Sequence, residues 1–188
     1  MHQRTQVQHT QRGIGLIEVL VALVVVSVGV LGLAGLQLNS VRVAKGSFNR
    51  SQAVVIAETV IAQMRANPDG VADLAYNGLD SDAANCSTLP STYCNAYYGM
   101  SGSTPVCSTA AERAANDFFE VACGHWNGSS GENGVIDSLP GGRVTVDCND
   151  APCSADSTYT VAVSWTETEV HDETDVEITK QVEMRVLP

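Results

Sequence analysis

The chain carries ten Lys and Arg against 21 Asp and Glu over 188 residues, a formal net charge of −11. Past Arg65 only Arg113, Arg143, Lys180 and Arg185 remain, facing nineteen carboxylates. The clustered cations that a nucleic acid requires are missing, so none is expected as a partner.

Residues 1–13 are polar and basic, with Arg4 and Arg12. From Ile14 to Leu36 the chain is apolar except for Glu18 and Ser27, a run of 23 residues, and a helix of ~20 residues suffices to cross the hydrocarbon core of a bilayer. The basic leader keeps the amino terminus cytoplasmic and places the remainder outside. A carboxylate inside such a run is costly and is retained for a purpose, and Glu18 sits one turn into it. A secretory signal is cut after its apolar stretch. Here the small residue beside an arginine, Gly13, precedes the stretch, so a cut there leaves the apolar helix on the mature chain.

Arg12-Gly13 followed by Ile14-Gly15-Leu16-Ile17-Glu18-Val19 resembles the type III signal of the type IV pilins. The resemblance implies that a prepilin peptidase, a membrane aspartyl protease, cuts after Gly13 and methylates the new amino terminus at Ile14. It also implies that Glu18 becomes the fifth mature residue and serves assembly with other pilins of a filament. The chain would reside in the inner membrane of a Gram-negative bacterium as a single-pass protein before entering a filament at the cell surface. Two positions depart from the family's commonest pattern: Ile14 stands where Phe is usual, and Gly15 where Thr is frequent.

With no proline between Ile14 and Pro68, one helix is expected to run to about Ala66. Residues 14–38 are its transmembrane and assembly part. Residues 39–67 are its amphipathic part, where Ala53, Ile56, Ala57, Val60 and Met64 form a stripe opposite Gln52, Glu58 and Arg65 that should pack on a sheet. Asn67-Pro68-Asp69-Gly70 then stops the helix, because proline removes a donor and disfavours helical geometry before it. Gly29, Gly32 and Gly35 each cost a helix ~1 kcal/mol relative to Ala. They make either a soft segment or a face for close helix packing. The resemblance places Gly35 where many family members carry a helix-breaking proline.

Residues 68–188 form the expected head. Its stretch 70–107 is polar and rich in Gly, Ser and Asn, with no sustained period, and reads as irregular chain. Cys86, Cys94, Cys107, Cys123, Cys148 and Cys153 all lie in this exported half, where an oxidising compartment favours three disulfides. The fifteen possible connectivities are not separable by count alone; the expected pairing is of nearest neighbours, Cys86 with Cys94, Cys107 with Cys123, and Cys148 with Cys153. The last rests on the turn formers of Asn149-Asp150-Ala151-Pro152. Zinc is disfavoured because paired Cys-x2-Cys spacings are absent.

Thr109-Ala110-Ala111-Glu112 has the capping-box pattern and opens a short helix through Val121, with Phe118, Phe119 and Trp126 turned inward. Leu139-Pro140-Gly141-Gly142 is a turn into strands. Val144, Val146 and Cys148 alternate with polar residues, as do Tyr159, Val161, Val163 and Trp165. The same period returns in Val176, Ile178, Val182, Met184 and Val186, interrupted by Lys180. An antiparallel meander follows, with His171-Asp172-Glu173-Thr174-Asp175 as the acidic turn between its last two strands.

The fold class is therefore α+β: a long amino-terminal helix packed on a small antiparallel sheet. Met64-Arg65-Ala66-Asn67-Pro68, Asp137-Ser138-Leu139-Pro140-Gly141-Gly142 and the strand from Val161 to Trp165 are similar to the PilV type of minor pilin. That resemblance implies a structural or priming subunit of a type IV pilus, contributing to assembly, surface attachment or motility. A type II secretion pseudopilin is the alternative within the superfamily, and a membrane-anchored periplasmic binding module the alternative outside it. Cys123-Gly124-His125 supplies nucleophile and base types, but an exported cysteine in an even set is usually bridged, and no nucleophile elbow or His-Glu-x-x-His is present. No catalysis, cofactor or metal is expected. His125 and His171 read as lone surface residues. Asp80-Ser81-Asp82 and Asp172 with Asp175 have calcium-type oxygen donors but read as solvated turns.

Overall fold

The computed structural model describes residues 15–91, 93–97, 99–102, 106–171 and 174–188; Gly13 and Ile14 lie outside them. The chain divides into two compact units, 1–45 and 46–188. Helix α1 (Leu16–Ala66) contributes residues to both.

In the first unit α1 is exposed on every side, from Leu16 through Leu23, Val30 and Leu36 to Val43. The one hydroxyl in its apolar run is satisfied locally, since Ser27 Oγ donates to the Leu23 carbonyl at 2.6 Å. The helix passes unbroken through Gly29, Gly32 and Gly35. A Cβ at any of the three would meet nothing within 4 Å, so no crowding within the chain requires glycine there.

In the second unit α1 buries Asn49, Ala53, Ala57, Val60, Ile61 and Met64, a stripe at helical spacing. Pro68 does end α1, and it also starts a new helix: α2 (Pro68–Ala72) takes it in the first turn, where the missing N–H is an orphan anyway. After β1 (Leu79–Asp80) and a single 3₁₀ turn at Ser81–Ala83 come α3 (Ala110–Cys123), β2 (Gly124–Trp126), β3 (Gly131–Asn133), α4 (Val135–Ser138), β4 (Arg143–Cys148), β5 (Tyr159–His171) and β6 (Thr174–Val186).

The main sheet runs β1-β4-β5-β6, and β2 pairs with β3 in a small second sheet. The meander of three strands is thus present and gains a fourth. Leu79 pairs with Val146 and Asp80 with Thr145, drawn from a segment whose composition reads as irregular. Two residues are too few to show a period, so only the partner strand reveals this one.

Val144, Val146, Tyr159, Val161 and Val163 are fully buried, with Trp165 nearly so, against Ala53, Ala57, Val60 and Met64 of α1. Each such valine contributes roughly 1.5–3 kcal/mol over an exposed one. A second, smaller core gathers Tyr93, Phe119, Ala122, Cys123 and Trp126. Helix α3 serves both, with Phe118 and Val121 in the main core and Phe119 and Ala122 in the second. Its capping box is complete: Thr109 Oγ1 accepts from the Glu112 N–H at 3.1 Å, and Glu112 Oε2 accepts from the Thr109 N–H at 3.1 Å. At its far end Gly124 has φ +79°, and a Cβ there would lie 1.7 Å from the Glu132 carbonyl oxygen, so the β2–β3 pairing needs glycine.

The disulfides are Cys86–Cys123, Cys94–Cys107 and Cys148–Cys153. Nearest-neighbour pairing therefore fails for the first four cysteines. Helix α3 is the reason: its 14 residues rise ~21 Å at ~1.5 Å per residue, which separates Cys107 from Cys123 far beyond the ~7 Å that a bridge allows between Cα atoms. The helix carries Cys123 to Cys86 instead, and Cys94 is left to Cys107 within the loop so closed.

Candidate functional site

In the first unit the chemistry centres on Glu18. It stands in the first turn of α1, its N–H donating to the Gly15 carbonyl at 3.0 Å, where the helix dipole favours a negative group. Leu16, Ile17, Val19 and Leu20 around it are exposed. Among the described residues of the apolar run it is the one ionisable side chain, and no ion pair there engages it. A carboxylate so placed can accept hydrogen bonds from a cation brought by another molecule, and burial of the apolar surface on either side would strengthen that pairing.

The head is tied together by polar contacts between distant parts of the chain. Asn67, between α1 and α2, donates from Nδ2 to the Ala110 carbonyl at 2.8 Å and to Tyr76 Oη at 3.1 Å. Tyr76 in turn donates to Asp117 Oδ2 on α3 at 3.2 Å. Burial pushes the Tyr76 phenol up to about 12, and burial likewise raises the Asp117 carboxyl above its ordinary value. This network fastens the end of α1 to the start and middle of α3.

Asp80 and Asp82 are engaged by a cation of the chain itself. Arg143 Nε donates to Asp80 Oδ1 at 2.9 Å, its terminal nitrogen binds Asp80 Oδ2, and Asp82 Oδ2 lies 3.1 Å from Nε. The hydrogen bonds from Arg143 hold the Asp80 carboxyl below its ordinary value. The guanidinium thus occupies the place that a calcium ion would take, and the reading of this turn as simply solvated is replaced by an ion-paired clamp of β1 on β4. Asp172, and the side chains of Asp175 and His171, lie outside the described residues.

Cys123 is bonded to Cys86 and is no nucleophile. His125 is exposed, yet it does not stand alone: Nδ1 lies 3.2 Å from Tyr93 Oη and 3.4 Å from Glu120 Oε1. Tyr93 Oη also accepts the Trp126 N–H at 3.2 Å, so a buried phenol joins α3, β2 and the disulfide-held loop. Sequence reading missed this cluster, because its members are separated by up to 33 positions and share no pattern. An open groove of about 490 Å³ lies between β1 and α3, lined chiefly by Leu79, Ala83, Pro90, Ala115, Phe118 and Phe119. Among the described residues no group of three or more His, Cys, Asp or Glu side chains could hold a metal ion.

Two family models match the chain. Residues 8–34 match the prokaryotic N-terminal methylation motif, and residues 35–119 match the family described as type IV pilin Tt1218. The first match contains Gly13, Ile14 and Glu18, and the second ends inside α3. No match was found among curated proteins or among solved structures.

Proposed function

We propose that this chain, which belongs to the type IV pilins, is a minor subunit of the PilV kind that enters a pilus filament, or primes its assembly, through its amino-terminal helix. A prepilin peptidase removes residues 1–13, and Ile14 becomes the methylated amino terminus. The span holds the chain in the inner membrane of a Gram-negative cell until assembly, with its head outside; afterwards the disulfide-held head stands at the filament surface, where it serves attachment or motility.

The observation that carries this reading is Glu18: the one carboxylate in the exposed apolar run at the start of α1, one turn from the residue that cleavage would make the amino terminus. A buried carboxylate needs a cation. In a filament of stacked helices the cation within reach is the α-amino group of a neighbouring subunit's first residue, so processing itself creates the partner for docking.

Glu18→Ala should leave insertion and cleavage intact, since it only makes the span more apolar, while incorporation into filaments falls sharply. Sheared filaments and membranes are to be compared by mass spectrometry for the cleaved chain. Equal incorporation of variant and wild type removes the pairing role. A chain that never leaves the membrane is a binding module, and one found in a secretion apparatus is a pseudopilin.

A further inference from the structure

At Gly46 the head meets α1 through a carboxylate. A Cβ at Gly46 would lie 3.5 Å from both carboxylate oxygens of Glu167 on β5, so the half-buried Glu167 stands against α1 at this level. Its Oε1 accepts the Trp165 Nε1–H at 2.7 Å, which fixes the group. No ion pair among the described residues engages it, since the nearby cation, Lys180, is bonded to Glu169 at 2.9 Å.

Four residues to either side of Gly46 stand Arg42 and Arg50, both exposed and without an ion partner among the described residues. Four residues carry an α-helix about 40° past a full turn, so the two arginines lie on opposite flanks of the line that Gly46 marks. The same interval separates Glu18 from Ile14. When Glu18 of one copy meets the α-amino group of Ile14 in the next, the parallel helices are offset by ~6 Å, at ~1.5 Å per residue. Copies of one fold keep that offset along their length. Gly46 of the lower copy is then level with Arg42 of the upper, and Gly46 of the upper with Arg50 of the lower.

We propose that Glu167 is a docking site for α1 of a second copy of this chain, lying parallel in the same filament. Arg42 of the upper copy binds Glu167 of the lower, and Arg50 of the lower binds Glu167 of the upper. The contact rests on the filament reading of Glu18. The flanks agree with it: seen from the side that Gly46 turns to Glu167, with the amino end down, a right-handed helix carries Arg42 to the left and Arg50 to the right. The upper copy therefore stands to the right of the lower, and each arginine points at its partner. A slip to an offset of five residues sets Arg50 of the lower copy level with Lys45 of the upper, and like charges select against it. Both helices run the same way and the two surfaces differ, so the contact is heterologous and repeats along a filament.

The test uses the full chain in cells that make its filament, with a photoreactive amino acid at the exposed Ser47, which leaves every charge in place. Irradiated filaments, once sheared, should contain two joined copies, with the adduct on β5 or β6 of the second. Glu167→Gln keeps an acceptor for Trp165, so it should lower the joined form about tenfold while the thermal transition of the head is kept. Glu167→Arg should lower it as well, as should Arg42→Glu combined with Arg50→Glu, and the three reversals together should restore it. The proposal is overturned by absence of a joined pair, by an adduct outside β5 and β6 or on another protein, by charge variants that behave as wild type, or by a triple reversal that fails to recover. Glu18→Ala separates the two readings. Where incorporation needs Glu18 but no joined copies form, the docking site falls and the filament reading stands; where incorporation ignores Glu18, both fall.

Discussion

Tyr76 donates its phenolic hydrogen to Asp117 Oδ2 at 3.2 Å across 41 residues of sequence, and so joins the segment that follows α2 to the middle of α3. Tyr76→Phe keeps the ring but leaves Asp117 and Asn67 without this partner. A cost of about 1–3 kcal/mol is expected for the unsatisfied groups, read as a lowered midpoint in chemical denaturation of the detergent-solubilised chain. The pH dependence has a defined sign. Burial raises the Asp117 carboxyl, so its contribution is most favourable below the ordinary carboxylate value and is lost as pH rises through the raised one. Asp117→Asn should flatten stability across that window; an unchanged slope would show that Asp117 is not the group titrating.

Asp80 should show the opposite sign. Arg143 lowers its carboxyl, so the clamp of β1 on β4 stabilises above the ordinary value and fades as pH falls through the lowered one. The pair is partly exposed, so the effect is small and screened by salt. Because the guanidinium already sits between Asp80 and Asp82, millimolar calcium should leave the melting temperature of the wild type unchanged, and a calcium-dependent rise would contradict the clamp.

The bridges should differ in weight. Cys86–Cys123 closes a separation of 37 residues and Cys148–Cys153 one of 5. By loop-closure entropy, replacing the first pair with serine should cost about 2 kcal/mol more than replacing the second. Digestion without reduction should yield peptides joining Cys86 to Cys123 and Cys94 to Cys107. Reduction should admit protease first between Ala84 and Ser108. Peptides joining Cys107 to Cys123 would contradict the pairing.

Thr109→Ala removes one half of the capping box on α3, and a loss of about 1 kcal/mol is expected. Since α3 carries Cys123 to Cys86, oxidative refolding of this variant should also yield more mispaired disulfides than wild type, which peptide mapping would count.

Gly13→Val should leave the leader attached. The proposed cut lies where the chain enters the bilayer, and a residue without a side chain lets the backbone lie close in the peptidase cleft. Amino-terminal mass analysis decides: a variant that begins at Ile14 would rule out the proposed signal.

Features written in neighbouring residues are legible from the amino-acid order alone. The apolar run, the lone Glu18, the capping box at Thr109 and the period-two alternation from Tyr159 to Trp165 each depend on local spacing, because helix and strand place side chains by fixed short periods. The same local logic extends to Cys148 and Cys153, five residues apart around a turn. It could have reached further, since a helix expected between Cys107 and Cys123 already forbids their bridge by its rise.

What only the tertiary structure decided are pairings whose members share no spacing. Leu79 becomes a strand because β4 offers it an edge. Asp80 loses its calcium-like character because Arg143, 63 residues on, reaches it. His125 acquires neighbours because a disulfide-held loop brings Tyr93 beneath it. The length, composition and amino-terminal motif of the chain determined its class and its long helix. The head's contacts followed from chain folding, which sets polar groups beside partners that desolvation then obliges them to keep.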